Sequence, residues 1–85
     1  MNKKVTVYTI DFCPFCTSAK DLLKRNNIEF EEIKIDRSDE VAVNNLREKS
    51  NWRTFPQIFF DDELIGGFAE LNALHQEKRL YEALK

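Results

Sequence analysis

Cysteine, proline and glycine are all scarce in this chain of 85 residues, which contains two of each. Two cysteines are too few for a disulfide scaffold of the secreted kind, for which about four or more are usual in a short chain. No apolar run approaches the roughly 18 residues that cross a bilayer. No basic block could neutralise several phosphates, since 13 Lys and Arg are interspersed with 15 Asp and Glu. We therefore expect no membrane and no nucleic-acid partner, and a role for the cysteines other than a structural framework.

The overall composition is typical of a small globular protein. Hydrophobic residues make up 42% of the chain and charged residues 33%, which excludes a disordered or fibrous protein. A chain of this length closes around one modest core, so we expect a single domain over residues 1–85. The apolar segment near the N-terminus lacks the cleavage pattern of a signal peptide, and we interpret it as a strand of a cytoplasmic protein.

The first half of the chain has the pattern of a βαβ unit. Residues 4–10 and residues 30–36 alternate apolar with polar side chains, which favours strands. Residues 14–26 between them carry apolar side chains at helical spacing, and the helix is predicted to begin at Pro14, because proline is tolerated at the first helical position. A helical crossover between two strands predicts that the strands are parallel.

The second half is predicted to add a hairpin to the same sheet. A helix capped by Ser38 or Asp39 is predicted to run to about Lys49. Residues 56–60 and 63–65 follow as two short apolar runs separated by two aspartates, as in an antiparallel hairpin. Residues 68–85 show a helical stripe that loses register at residues 76–78, which predicts a helix, a break and a second short helix. The fold class is therefore α/β, with a mixed four-stranded sheet flanked by helices.

Cys13 and Cys16 directly follow the first predicted strand and open the first predicted helix. In a βαβ unit this Cys-x-x-Cys spacing is typical of a redox motif. Unpaired N–H groups and the helix dipole stabilise an anion at a helix start. We interpret Cys13 as the nucleophilic thiolate and Cys16, within the first turn and more shielded, as the resolving thiol. Inert buried cysteines or a structural disulfide are the alternatives.

A metal site is the remaining alternative for the cysteine pair. A structural zinc ion needs four ligands, and the other soft candidate in the chain is His75, far along the sequence on a predicted helix. Within one subunit such a site cannot be completed. We therefore expect no metal, and a surface position for His75.

Three motifs in this order resemble the glutaredoxin family: Cys13-Pro14-Phe15-Cys16, Thr54-Phe55-Pro56 before a strand, and Gly66-Gly67-Phe68 before the last helices. The resemblance covers essentially the whole chain. It implies a thioredoxin-like fold, glutathione as the reductant, and the reduction of protein disulfides or of glutathione mixed disulfides. We expect a monomer whose partners are glutathione and disulfide-bonded or glutathionylated proteins.

The resemblance also implies a glutathione groove beside Cys13. Pro56 is similar to the family's cis-proline, which would set the main chain of Phe55 beside the active-site sulfur, where it pairs with the cysteine of glutathione. Arg53 matches a position near the glycine carboxylate. An ordinary trans Pro56 at an edge strand and a solvated Arg53 are the alternatives. The implied groove is lined by Phe15, Arg53, Thr54, Phe55, Pro56 and the turn of Gly67, Phe68, Ala69 and Glu70, which would hold the γ-glutamyl end.

Several residues depart from the family's pattern. Ile10 stands where a cation is common, and Asp11 adds an anion nearby, so both disfavour the thiolate of Cys13. Ala69 replaces a residue that commonly carries a hydroxyl or carboxylate, and Glu70 replaces the usual aspartate. The implied polar anchoring of the γ-glutamyl group is therefore weaker than the thiol chemistry.

Two further functions stay open on the sequence. The first is a similar redoxin that is reduced directly by a flavoprotein thioredoxin reductase. The second is a carrier that bridges two subunits through an iron-sulfur cluster, held by Cys13 of each subunit and two glutathiones. Pro14 argues against the carrier, because related proteins that assemble clusters more often have a small, flexible residue there.

Overall fold

A computed structural model describes residues 2–85. Eight elements follow one another in the order that the sequence predicts, although the first three strands are shorter, and the fourth one residue longer, than the apolar patterns suggest. None of the described helices has the length and apolar character needed to span a membrane. The elements are β1 (Val5–Thr9), α1 (Pro14–Arg25), β2 (Glu31–Lys34), α2 (Glu40–Ser50), β3 (Gln57–Phe60), β4 (Glu63–Gly66), α3 (Phe68–Gln76) and α4 (Leu80–Ala83).

The four strands form one mixed sheet in the order β2-β1-β3-β4. β1 pairs with β2 in parallel, as the βαβ pattern predicts, and with β3 antiparallel. β3 and β4 form the predicted antiparallel hairpin. The carboxyl end of β1 and the amino end of β3 therefore lie side by side, and this edge of the sheet carries both the cysteine pair and the segment around Pro56.

One face of the sheet carries most of the hydrophobic core. Val5 and Val7 of β1 alternate with half-buried residues and face this side. Four residues of α1 are buried against the sheet, and among them Ala19 and Leu23 have no exposed surface. Helices α3 and α4 complete the layer with Leu71 and other leucines. Helix α1 is therefore firmly held by its apolar stripe, which fixes the position of its N-terminus.

The opposite face of the sheet is covered by α2 alone. Phe59 points to this side, because successive side chains of β3 alternate between the faces, and its ring meets Tyr8 edge-on at 5.6 Å. The ammonium of Lys49 lies 5.0 Å from the centre of the Phe59 ring. Leu46 is the only buried residue of α2. This helix is therefore held by fewer apolar contacts than α1.

The predicted break between the last two helices is present and lies one residue later than expected. Helix α3 ends at Gln76 and α4 begins at Leu80. Between them, Lys78 has a φ of 59°, in the left-handed region that ends a helical path. His75, in the last turn of α3, is exposed, in agreement with the predicted surface position.

Candidate active site

Cys13 and Cys16 lie at the start of α1 and are joined by a disulfide bond, so the structure represents the oxidised form. Cys13 is the N-cap residue of the helix, and its sulfur accepts a hydrogen bond from the backbone N–H of Cys16 at 3.1 Å. Pro14 follows at the helix start, where it has no N–H to leave unpaired. The sulfur of Cys13 therefore faces a backbone donor of the helix N-terminus, as the sequence predicts.

The two sulfur positions differ in their access to solvent. Cys16 is only 2% exposed and packs beneath the helix start, whereas Cys13 is half-buried at the surface. A large substrate can therefore approach Cys13 but not Cys16. This difference supports the prediction that Cys13 is the nucleophile and Cys16 the resolving thiol.

The segment before β3 lies directly beside Cys13. The peptide bond between Phe55 and Pro56 is cis, as the resemblance implies, so the alternative of an ordinary trans proline is excluded. The carbonyl oxygen of Phe55 lies 3.8 Å from the sulfur of Cys13. Pro56 is buried and Phe55 is half-buried. The main chain of Phe55 is therefore within reach of any group bound to the Cys13 sulfur.

Aromatic rings flank the cysteine pair. Phe15 is 63% exposed, and its ring stacks on that of Phe68 with 6.2 Å between the ring centres. This contact joins the starts of α1 and α3. Phe12, which sequence analysis did not single out, is fully exposed and has a φ of 56°. The surface around Cys13 is therefore markedly apolar.

The turn before α3 packs against the same segment. A Cβ on Gly67 would lie 3.4 Å from the carbonyl oxygen of Pro56 and 3.9 Å from the indole nitrogen of Trp52. The backbone N–H of Gly67 donates to Oε1 of Glu70 at 2.8 Å. Glu70 therefore caps α3, a role that sequence analysis did not assign to it. The segment of Ala69 and Glu70 is exposed on this side of the site.

Arg53, Thr54 and Phe55 line one groove of about 430 Å³ beside the cysteine pair. Arg53 and Thr54 are exposed, and none of the ion pairs among residues 2–85 involves Arg53. Among the residues implied by the resemblance, Phe55 is the one that contacts the Cys13 sulfur. Phe15 and Phe68 stack on each other, and Gly67 packs against Pro56. Arg53 and Thr54 line a groove that does not include Cys13 but meets the Cys13 cleft at Ile10.

The charge of Asp11 is balanced within the fold. Its carboxylate lies 3.1 Å from the ammonium of Lys34, at the end of the neighbouring strand β2. From the sequence alone Asp11 is an added anion near Cys13. The balancing cation is not predictable from the sequence, because strand pairing, not sequence proximity, places Lys34 there. Both groups are well exposed, so the pair contributes little to stability.

A second ionic network lies under the start of α1. The carboxylate of Glu32 accepts a hydrogen bond from the hydroxyl of the buried Thr9 at 2.8 Å, and its Oε2 also lies 3.0 Å from the ammonium of Lys20. The Thr9 hydroxyl, followed by Lys20, holds the pKa of Glu32 below its ordinary value. The carboxylate is therefore kept ionised next to the cleft that also exposes Cys13.

We expect the substitution Thr9→Val to raise the pKa of Glu32 toward the ordinary value of 4.5, because it removes the first cause of the shift. Because the folded-state pKa is lowered, the network stabilises the fold above the unfolded-state pKa, and this contribution disappears as the pH falls through the folded-state value. Carboxyl-carbon NMR of Glu32 against pH measures the shift. Thr6→Val on the same strand is the control, and an unchanged Glu32 midpoint in Thr9→Val would contradict the assignment.

No group of three or more histidine, cysteine, aspartate and glutamate side chains within residues 2–85 is arranged to hold a metal ion.

The cysteine pair at the start of a helix, a cis-proline beside it and a mixed four-stranded sheet flanked by helices define a thiol-disulfide oxidoreductase with a thioredoxin-like fold. The family model described as Glutaredoxin matches residues 5–65. Glutaredoxin 1 of Rickettsia bellii is 40% identical to this chain, over 100% of the chain and 94% of that protein. The chain belongs to the glutaredoxin family.

Solved structures agree with this assignment. The solution structure of glutaredoxin from Brucella melitensis superposes with a TM-score of 0.82 at 39% identity, over 99% of this chain and 90% of that one. The crystal structure of the buckwheat glutaredoxin-glutathione complex gives a TM-score of 0.85 over 96% of this chain and 76% of that one. At 20% identity the buckwheat protein shows the shared fold alone. These matches confirm the predicted thioredoxin-like fold.

Proposed function

We propose that this chain uses glutathione to reduce protein disulfides and glutathione mixed disulfides through Cys13 and Cys16. The proposal rests on two backbone groups that lie close to the Cys13 sulfur. A backbone N–H of the helix start lies 3.1 Å from it and the carbonyl oxygen of Phe55 lies 3.8 Å from it. The first contact stabilises a thiolate, and the second lies where the main chain of a bound tripeptide would run.

The residues around Cys13 fit glutathione in size and in chemistry. The main chain of Phe55 would pair with the cysteine of glutathione as an added strand does. The exposed guanidinium of Arg53 would receive the glycine carboxylate, and the stacked rings of Phe15 and Phe68 supply a flat apolar wall. The buckwheat relative is described as a glutathione complex.

The opposite end of the groove would hold the γ-glutamyl group. Glu70 uses Oε1 to accept the N–H of Gly67, and its Oε2 accepts no hydrogen bond from the described residues. That oxygen would receive the γ-glutamyl ammonium, while Thr54, Pro56 and Ala69 contribute shape rather than charge. In this proposal the chain acts as a monomeric single domain in the cytoplasm, where glutathione is the main thiol reductant.

The reaction on a glutathione mixed disulfide needs one cysteine. The Cys13 thiolate attacks the sulfur of glutathione, the substrate leaves as a thiolate that takes a proton, and Cys13 carries glutathione as a mixed disulfide. A second glutathione thiolate attacks the bound glutathione sulfur. This step releases glutathione disulfide and restores the Cys13 thiolate.

The reaction on a protein disulfide uses both cysteines. The Cys13 thiolate attacks one sulfur of the substrate, and the other leaves as a thiolate. The Cys16 thiolate then attacks the Cys13 sulfur, which releases the second substrate thiolate and forms the Cys13 to Cys16 disulfide that the structure contains. Two glutathione molecules reduce this disulfide and leave as glutathione disulfide.

Turnover of a glutathionylated peptide with glutathione and glutathione reductase tests the proposal. We expect Arg53→Gln and Glu70→Gln each to raise the KM for glutathione about twofold to fivefold with little change in kcat, because each loses one exposed charge contact worth about 0.5 to 1 kcal/mol. Glu63→Gln, an exposed carboxylate on β4, is the matched control. Turnover supported by thioredoxin reductase but not by glutathione would instead favour the direct-reduction alternative and reject the proposal.

A further inference from the structure

Three of the five arginines in the chain line the groove beside Phe55. Arg37 comes from the connection between β2 and α2, Arg47 from α2, and Arg53 from the connection between α2 and β3. Three apolar side chains and Thr54 complete the groove, and no acidic side chain among residues 2–85 lines it. We call the surface formed by Arg37, Arg47 and Arg53 the basic groove.

The guanidinium groups of the basic groove have no anionic partner among the residues that the structure describes. The ion pairs among residues 2–85 involve four other cations, and no hydrogen bond from these three guanidinium groups is present in that part of the chain. Two carboxylates close to Arg37 in sequence are engaged with other groups. Asp36 accepts two hydrogen bonds from Ser38, and Asp39 accepts the N–H of Ala42 at the start of α2.

The other flank of the cysteine pair is electrically balanced. Its cleft contains Asp11 paired with Lys34 and Glu32 paired with Lys20. Ile10 lines both depressions and separates them. Of these two flanks, the Phe55 side is therefore the one that presents an uncompensated positive potential to a partner approaching Cys13. The protein as a whole carries a net charge of −2, so this potential is a local feature.

Glutathione cannot neutralise this surface. The tripeptide has two carboxylates, and in the proposed orientation the γ-glutamyl carboxylate lies at the turn before α3, away from the basic groove. The glycine carboxylate requires one guanidinium, that of Arg53. Arg37 and Arg47 remain, two like charges in a groove of about 430 Å³ with no counter-charge. A guanidinium binds a carboxylate through paired, charge-assisted hydrogen bonds.

We propose that Arg37 and Arg47 recognise an acidic segment of the protein substrate, next to the cysteine that Cys13 attacks. This inference rests on the proposed function and names the substrate class of the same site. The segment lies along the Phe55 side and places at least two carboxylates on the two guanidinium groups. Substrates with acidic residues on that side of their disulfide therefore react faster than neutral ones, and the advantage decreases with salt.

The test compares two short peptides, each with an intramolecular disulfide. One has glutamates beside the attacked cysteine, and the other has glutamines at the same positions. The fully reduced protein is mixed with each peptide in a single turnover. We expect the wild type to reduce the acidic peptide about tenfold faster at low salt, and the advantage to shrink to about twofold at about 0.5 M salt. Arg37→Gln with Arg47→Gln removes the preference. Arg25→Gln with Lys78→Gln, two exposed cations outside the groove, retains it.

Two results would overturn the inference. One is an equal preference for the acidic peptide in the wild type and in the Arg37→Gln, Arg47→Gln variant. The other is a KM for glutathione that rises in that variant as much as the KM for the acidic peptide, since the basic groove would then serve glutathione.

A binding measurement separates the inference from the proposed function. Peptides with serine in place of each cysteine cannot react, so their binding does not depend on any redox activity. We expect the acidic serine peptide, and not the glutamine one, to shift the side-chain Nε–H signals of Arg37 and Arg47 in NMR spectra. If these signals do not shift at millimolar peptide, the inference is wrong, even if the protein reduces disulfides. If they shift but the protein does not use glutathione, the proposed function fails and the inference stands.

Discussion

Replacing Cys16 with serine is expected to separate the two proposed reactions. Removal of glutathione from a glutathionylated peptide needs only the Cys13 thiolate, so we expect Cys16→Ser to retain at least about a third of this activity. Reduction of a protein disulfide also needs a resolving thiol, so the same variant loses about 100-fold or more in turnover. The backbone N–H of Cys16, which faces the Cys13 sulfur, is unaffected because serine keeps it.

Cys13→Ser is the complement of this experiment, and both reactions should fall to the uncatalysed background because a serine hydroxyl is not ionised at neutral pH. The measurement is a paired assay of both variants on one glutathionylated peptide and one disulfide-bonded protein. The buried position of Cys16 makes the thermal midpoint of each reduced variant a necessary control. Equal loss of both activities in Cys16→Ser would show that the protein works only as a dithiol donor.

The largest expected effect on stability comes from Leu23→Ala. Leu23 has no exposed surface and lies in the cluster that fastens α1 to the sheet. Truncation removes buried methyl groups and leaves a cavity, which costs about 2 to 5 kcal/mol. A domain of this size is stable by only about 4 to 13 kcal/mol. Urea unfolding of the wild type and the variant measures the difference.

Val41→Ala is the matched control for Leu23→Ala. Val41 lies on a helix as well, but it is 70% exposed, and alanine has the higher helix propensity. We expect its free energy of unfolding to change by less than about 0.5 kcal/mol. A loss in Val41→Ala as large as that in Leu23→Ala would mean that the cluster under α1 is not what stabilises the fold.

Local patterns account for most of the fold that sequence analysis predicted. The alternation in residues 4–10 and the proline at the first helical position locate β1 and α1, because both signals are confined to a few neighbouring residues. β2 (Glu31–Lys34) is shorter than the alternation over residues 30–36 suggests. A strand ends where its partner stops pairing, and β1 ends at Thr9. The end of β2 is therefore set by the length of β1, which the alternation within residues 30–36 does not show.

The residues of the candidate site that belong to short motifs were predictable from the sequence. The contacts between residues far apart in the sequence were not. Cys13, Cys16 and the cis-proline were found from short motifs in order. The pairing of Asp11 with Lys34 was missed because two neighbouring strands bring the residues together. The basic groove was missed for the same reason. Its arginines are separated in sequence by ten and six positions, and they form no basic block.

The two walls of the basic groove differ in local stability, because α2 has a single buried leucine. Ile10 and Phe55 adjoin β1 and β3, the central strands of the sheet. Arg47 belongs to a helix anchored mainly by Leu46, and elements with few buried apolar contacts open at a lower free energy than the core. Sub-global opening of α2 can therefore reposition one guanidinium while Cys13 and its disulfide partner stay in place. The groove can accept acidic segments of differing length around a rigid reaction centre.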